Sequence, residues 1–196
     1  ITGGILQSLA KKNSKLTKGK KVSIVHFDAH TDCYEKLDHF LGAKKSAAHW
    51  ASYLVKQGNV DPKTSTQIGI RGNPRTLDWL QASYDIGYQV ITMDEYNELG
   101  HEKCSKMILD KLGDNPIYVT FDLDCLDATV APGTATTTVP VTRKRVALQD
   151  QNKNILLRKL RKNNIKTLKT DSNANTSVTS VTLRRQFVVN STAGGA

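Results

Sequence analysis

This sequence is short of cysteine, of aromatic residues and of long apolar runs. Only three of its 196 residues are cysteine (Cys33, Cys104, Cys125), and no two of them form a CxxC pair. An odd count without such spacing argues against a disulfide framework and reads as free thiols in a reducing, cytoplasmic setting. No run approaches the roughly 20 apolar residues a membrane span needs, which excludes an integral membrane protein. Ile1–Ala10 lacks the charged leader of a secretory signal. With 38% hydrophobic and 23% charged residues the composition is that of a globular chain. At this length a core buries roughly 70% of the unfolded surface, so no covalent staple is needed.

Acid is scarce in one place only. Residues 1–140 carry 16 basic and 16 acidic side chains, whereas residues 141–196 carry 12 basic ones against Asp150 and Asp171. The entire net charge of +10 therefore belongs to the tail. The composition divides near Pro140 into a domain at 1–140 and a basic, low-complexity tail at 141–196, expected to be disordered or poorly packed. Counterion release onto nucleic acid would suit such a charge. However, Phe187 is the tail's only aromatic residue, so stacking groups are missing and nucleic acid is not an expected partner.

Residues 1–127 alternate between two patterns. Val22–Phe27, Gln67–Ile70, Tyr88–Thr92 and Ile117–Phe121 are short, β-branched, mostly apolar runs of the kind buried on both faces of a parallel sheet. Between them, helical periodicity is expected over Ile5–Lys12, from a Ser46 cap to Gly58, over Arg75–Tyr84 after Pro74, and over Asp94–Leu112. Strands alternating with helices predict an α/β fold, three layers deep, around a mainly parallel sheet with right-handed crossovers.

Two of these strands finish in clustered acids. The first runs into Asp28, His30 and Asp32, the second into Asp122 and Asp124. In extended chain, residues two apart point the same way, so each set can aim at one point beyond the strand ends, where open parallel sheets bind ligands. Four carboxylates meeting there would repel one another unless a cation neutralised them. Oxygen donors with one imidazole suit Mn²⁺ better than thiolate-loving Zn²⁺. A lone DxD at a strand end is usually a turn cap, but two such ends with an interleaved His point to a metal site.

The stretches His26-Phe27-Asp28-Ala29-His30-Thr31-Asp32 and Phe121-Asp122-Leu123-Asp124-Cys125-Leu126-Asp127, with Ala131-Pro132-Gly133-Thr134 after them, resemble the signatures of the ureohydrolases, the arginase and agmatinase family. Gln67–Gly72 and Val90–Glu95 resemble its agmatinase-like branch. The resemblance covers about residues 1–135 and implies an arginase-like fold, incomplete here. It also implies a cytoplasmic enzyme of polyamine metabolism that uses two Mn²⁺ ions to release urea from a small guanidino compound, of agmatine or guanidinobutyrate type. By the family pattern Asp28 and Asp122 bridge both ions, Asp32 completes one site, and His30 with Asp124 completes the other. Two close cations acidify a bridging water to hydroxide near neutral pH. Asp32 would hold that hydroxide, take its proton and pass it to the leaving amine. His49 is the candidate proton shuttle, with His39 competing for the role. His26 is expected to pack behind the ligands, and His101 to lie on the surface. Cys33 and Cys125 are read as core filling. A complete member of the family is expected to form a homo-oligomer.

The chain departs from that pattern in three ways. The family's first ligand, a His in a Gly-Gly-Asp-His-Ser stretch, would fall before Ile1. Ala135 follows Ala-Pro-Gly-Thr where a second Gly is usual, and Ala128 replaces a Pro. Residues 141–196 contain no Glu to grip a guanidinium and no apolar βα pattern. The expectation is an open apolar sheet edge at Phe121 and an activity well below that of a full member. The alternative reading is an inactive or truncated metal-binding relative.

Overall fold

The structure is a computed structural model. It describes residues 1–35, 46–71, 77–127 and 131, together with the backbone of strands at 165–168, 178–183 and 187–192. Strands β1 (Ser23–Phe27), β2 (Thr66–Ile70), β3 (Gln89–Thr92) and β4 (Ile117–Asp122) coincide with the four apolar runs to within two residues. Every residue of β1 and β2 is buried, as a strand covered on both faces requires. The helices are α1 (Thr2–Leu9), α2 (Trp50–Lys56), α3 (Gln81–Ile86) and α4 (Met93–Leu112).

Alternation along β1 divides the core in two. Val25 and Phe27 pack with Ile68, Val119 and Phe121 under Tyr96, Ile108 and Leu112 of α4. Ile24 and Val22 face the other way, against Leu6 of α1, Ala51 and Leu54 of α2, and Tyr118 of β4. Helices therefore cover both faces, and the expected three layers are present.

Local chemistry explains the helix ends. Ser46 accepts a hydrogen bond from the Ala48 N–H, capping a 3₁₀ turn (Ala47–His49) that leads into α2. Thr92 and Glu95 form a reciprocal capping box at the start of α4. The single helix expected over Asp94–Leu112 is interrupted at Gly100, whose φ of 75° only glycine adopts without strain. The helix expected from Arg75 starts later, at Gln81; residues 72–76 lie outside the described ones.

The sheet does not end at β4. Strands β5 (Ile165–Leu168), β6 (Val178–Leu183) and β7 (Phe187–Thr192) extend it in the order β3-β2-β1-β4-β7-β6-β5. β7 runs parallel to β4 over Ile117–Asp122, while β6 and β5 are antiparallel. The edge expected to stand open at Phe121 is therefore covered. The physical reason is β-propensity: Phe187-Val188-Val189 and Val178–Leu183 are aromatic or β-branched runs, outweighed in the composition by the surrounding Ser, Thr and Asn.

Candidate metal centre

Strand order reverses between β1 and β4: from β1 the chain proceeds outward through β2 to β3, and β4 then lies on the opposite side of β1. Such a switch point opens a crevice beyond the carboxyl ends of the two strands. Phe27 pairs with Phe121 across the parallel ladder, so Asp28 and Asp122 follow side by side at that crevice. His26 and Asp28 share the parity of Ile24, which faces α1 and α2.

The acids converge by turning rather than by extension. Asp28 Oδ1 accepts the His30 N–H at 2.7 Å, and Asp122 Oδ1 accepts the Asp124 N–H at 3.0 Å. Both are bonds from an aspartate to the backbone two residues on, the turn chemistry to which this residue is suited. A 3₁₀ turn (Leu123–Cys125) carries Asp124 inward, and its Oδ1 accepts the Ala29 N–H at 3.2 Å. The two strand ends are thereby tied together. The expected convergence is present, but extended geometry is not its cause.

Among the described residues two groups of candidate ligands result, each with its donor atoms within 4.8 Å of one another: Asp28, His30 and Asp124, and His26, Asp28 and Asp32. His30 Nδ1 lies 3.0 Å from Asp124 Oδ2 and 3.5 Å from Asp28 Oδ1. His26 Nε2 lies 2.8 Å from Asp28 Oδ2 and 4.0 Å from Asp32 Oδ2. Asp28 is common to both. Asp122 belongs to neither group, yet its charge and that of Asp28 act on each other. His49 is buried at the end of the 3₁₀ turn, Nδ1 2.6 Å from Ser46 Oγ, and is a member of neither group. His39 lies outside the described residues.

Electrostatics separate the carboxyls. Burial pushes Asp32 well above the ordinary range, and the charge of Asp28 adds to it. Burial and the same charge push Asp122 up to about 6. Burial would raise Asp28 too, but the charge and hydrogen bond of His26, with those of His30, hold it below the ordinary range. Burial works against a charged His30; hydrogen bonds to Asp124 and Asp28 outweigh it and push the imidazole up to about 10. In the metal-free chain, then, protons and imidazolium neutralise the cluster, which is the place a cation would take. The donor set of carboxylate oxygens and imidazole nitrogens fits a hard or borderline divalent ion. Burial holds the neighbouring Cys33 thiol up at about 12 and raises Cys125 as well, so neither is poised as a thiolate ligand.

Three contributors went unseen in the sequence. Trp50 Nε1–H donates to Asp32 Oδ2 at 2.5 Å. Gln67 donates from Nε2 to the Thr31 carbonyl at 2.5 Å, and the same amide nitrogen lies 3.2 Å from Nδ1 of His26, the ring whose other nitrogen meets Asp28. Arg71 reaches from the end of β2 to the carbonyls of Asp124, Cys125 and Leu126. Each was assigned to a helix face, a strand or a motif. Only Arg71 offered a signal, as a cation directly after a strand of the acidic edge.

With that geometry in view, comparison with known proteins decides the family. Residues 1–141 match the arginase family along their length. The chain belongs to the arginase family. It is 36% identical over 116 residues to an agmatinase of Neisseria meningitidis serogroup C, a stretch covering 59% of this chain and 34% of that protein. It is 32% identical over 136 residues to proclavaminate amidinohydrolase of Streptomyces clavuligerus, covering 69% of this chain and 41% of the relative. The solved structure of a proclavaminate amidinohydrolase from that organism superposes with a TM-score of 0.66 at 31% identity, over 80% of this chain and 47% of its own. An arginase from Bacillus subtilis, 23% identical, shares the fold with a TM-score of 0.59 over 82% of this chain and 54% of its own. The chain thus spans less than half the length of the curated relatives it matches. Among the described residues no helix is long and apolar enough to cross a membrane.

Proposed function

We propose that this chain carries the metal half of an amidinohydrolase that cleaves a small guanidino compound, of agmatine or guanidinobutyrate type, into urea and an amine. The observation that carries the reading is the pair of ligand groups sharing Asp28 at the switch point. Asp28, His30, Asp32, Asp122 and Asp124 would hold two Mn²⁺ ions. When bound, the ions supply the positive charge that lets water ionise near neutral pH.

The protein's own groups do the rest. The carboxylates of the cluster attract a planar guanidinium and orient it. Asp32 takes a proton from the attacking water as the new C–O bond forms. It returns that proton to the departing nitrogen as the C–N bond breaks, and the remaining O–H proton of the collapsing intermediate follows it, so urea leaves with an ammonium that carries away the charge of the guanidinium. His49 is proposed to relay protons between this site and solvent. The three buried, unpaired cysteines support a reducing, cytoplasmic setting, and assembly with further copies is part of the same proposal.

The test is urea release by residues 1–196 with Mn²⁺, measured over arginine, agmatine, guanidinobutyrate, guanidinopropionate and formiminoglutamate. Release from agmatine or guanidinobutyrate above the others is expected, lost in Asp32→Asn and reduced in His49→Ala. Mn²⁺ binding without urea from any of them would favour the second reading, an inactive metal-binding relative.

A further inference from the structure

We propose that Trp50 is a positioning residue of this centre: its indole N–H fixes the rotation of the Asp32 carboxylate before any cation arrives. The proposal rests on the metal reading above and adds a residue from outside the ligand set.

Asp32 occupies an unusual backbone position, with φ of 52°, in the left-handed region that non-glycine residues enter at a cost. The loop is held there by the segment that starts α2. The Tyr34 N–H donates to the Ala48 carbonyl at 3.0 Å, and the Ala51 N–H donates to the Asp32 carbonyl at 3.3 Å. Those two bonds secure the backbone but leave the Asp32 side chain free to rotate. Trp50 removes that freedom, with Nε1–H bonded to Oδ2 while Oδ2 stands 4.0 Å from His26 Nε2. The same indole meets the His26 imidazole edge-on, centroids 4.8 Å apart and planes at 66°. One side chain therefore touches two of the three members of the His26–Asp28–Asp32 group.

A tryptophan in this place would ordinarily count as core, and part of Trp50 does pack on the cluster around Leu54. Packing requires the ring, however, and not the N–H. A buried indole N–H needs a partner, and here the partner is a candidate ligand rather than a backbone carbonyl. Ligand orientation by such outer contacts typically accounts for about 10–100-fold in metal affinity or activity.

Trp50 and Trp79 are the only tryptophans in the chain, which allows a direct experiment on residues 1–196. Trp79→Phe leaves Trp50 as sole emitter, and paramagnetic Mn²⁺ filling the site should quench it with the midpoint of Mn²⁺ uptake measured by electron paramagnetic resonance. Trp50→Phe keeps a ring against His26 and drops only the donor. It should melt within a few degrees of the wild type when metal-free, yet bind Mn²⁺ about 10–100-fold more weakly. Wild-type affinity in Trp50→Phe would overturn the assignment while leaving the metal centre intact. Should that variant fail to fold, the Trp79→Phe titration still decides, because unchanged Trp50 emission at full Mn²⁺ occupancy would overturn it too. No Mn²⁺ uptake by the wild type would overturn the metal reading and this proposal together.

Discussion

Asp122→Asn should make the metal-free chain more stable and the metal-loaded chain less so. Asp122 sits beside Asp28, and burial with that neighbouring charge lifts its carboxyl from 3.8 to about 6. A rise of roughly two units is worth about 3 kcal/mol for a fully sheltered group. Asp122 is only half-buried, and solvent screening reduces this to about 1 kcal/mol. The sign follows from linkage: a carboxyl whose folded pKa lies above its unfolded one disfavours the fold when ionised. Stability is therefore fully present below about pH 4 and falls as pH rises through 6. Asparagine does not ionise, so the variant should match the wild type near pH 4 and exceed it at pH 7. For a chain of this size about 1 kcal/mol corresponds to roughly 2–4 °C in melting temperature. His30, raised to about 10, contributes stability that is fully present below 6.5 and is lost as pH rises through 10; most of it remains at pH 7, in wild type and variant alike. Adding Mn²⁺ should invert the order, since ligand at 100 times its Kd stabilises the native state by about 2.7 kcal/mol, and only the wild type keeps every proposed ligand carboxylate. The assay is a thermal melt at pH 4 and 7, with chelator and with Mn²⁺. A variant no more stable than the wild type at pH 7 in chelator would refute the argument that the cluster is strained without its cation.

The fold was legible where a single rule governed it. A strand buried on both faces is mostly apolar and β-branched, and β1 and β4 stand out for that reason. What sequence reading missed came from competing rules. Gly100 breaks α4 through a positive φ that helical periodicity does not reveal, while Tyr96 before it and Ile108 and Leu112 after it pack in the same core. The tail was judged by its charge and its Ser, Thr and Asn content, yet a strand adding to an existing edge needs only backbone pairing and six suitable residues. β7 obtains both from β4.

Of the candidate centre, the carboxylates and His30 were legible because the chemistry they share is written in residue type and spacing. Their supports were not, because a supporting residue is ordinary in type and special only in where it lies. Trp50 reads as a helix-face apolar residue, and Gln67 as the polar member of a strand. The two come to Asp32 and His26 only through the packing of α2 and the pairing of β2 with β1. His26, expected to support the ligands from the same strand face as Asp28, meets Asp28 Oδ2 at 2.8 Å, and its ring is wedged against Trp50.

Two further perturbations probe the scaffold. Ile108→Ala, in a fully buried position between α4 and the sheet, should cost about 2–5 kcal/mol, read as a lower urea midpoint with unchanged slope; a loss under about 1 kcal/mol would mean that α4 does not pack there. Arg71→Met tests whether the acidic turn is held from outside. Its guanidinium donates to the carbonyls of Gly69 at 3.2 Å, Asp124 at 2.8 Å, Cys125 at 3.3 Å and Leu126 at 3.1 Å. Methionine keeps an apolar stem of similar reach and leaves those carbonyls without their charged partner, a loss of about 2–4 kcal/mol from hydrogen bonds of this kind. The bonds converge on the 3₁₀ turn that carries Asp124, so the damage should fall on the Asp28–His30–Asp124 group, whereas Trp50→Phe acts on the group containing Asp32. Combined in one chain, the two substitutions should depart from the product of their separate effects on Mn²⁺ affinity, because the two groups share Asp28. Arg71→Lys, with one nitrogen in place of a planar fork, should fall between methionine and the wild type. If Arg71→Met bound Mn²⁺ and melted as the wild type does, the turn would be rigid by itself and the clamp without consequence.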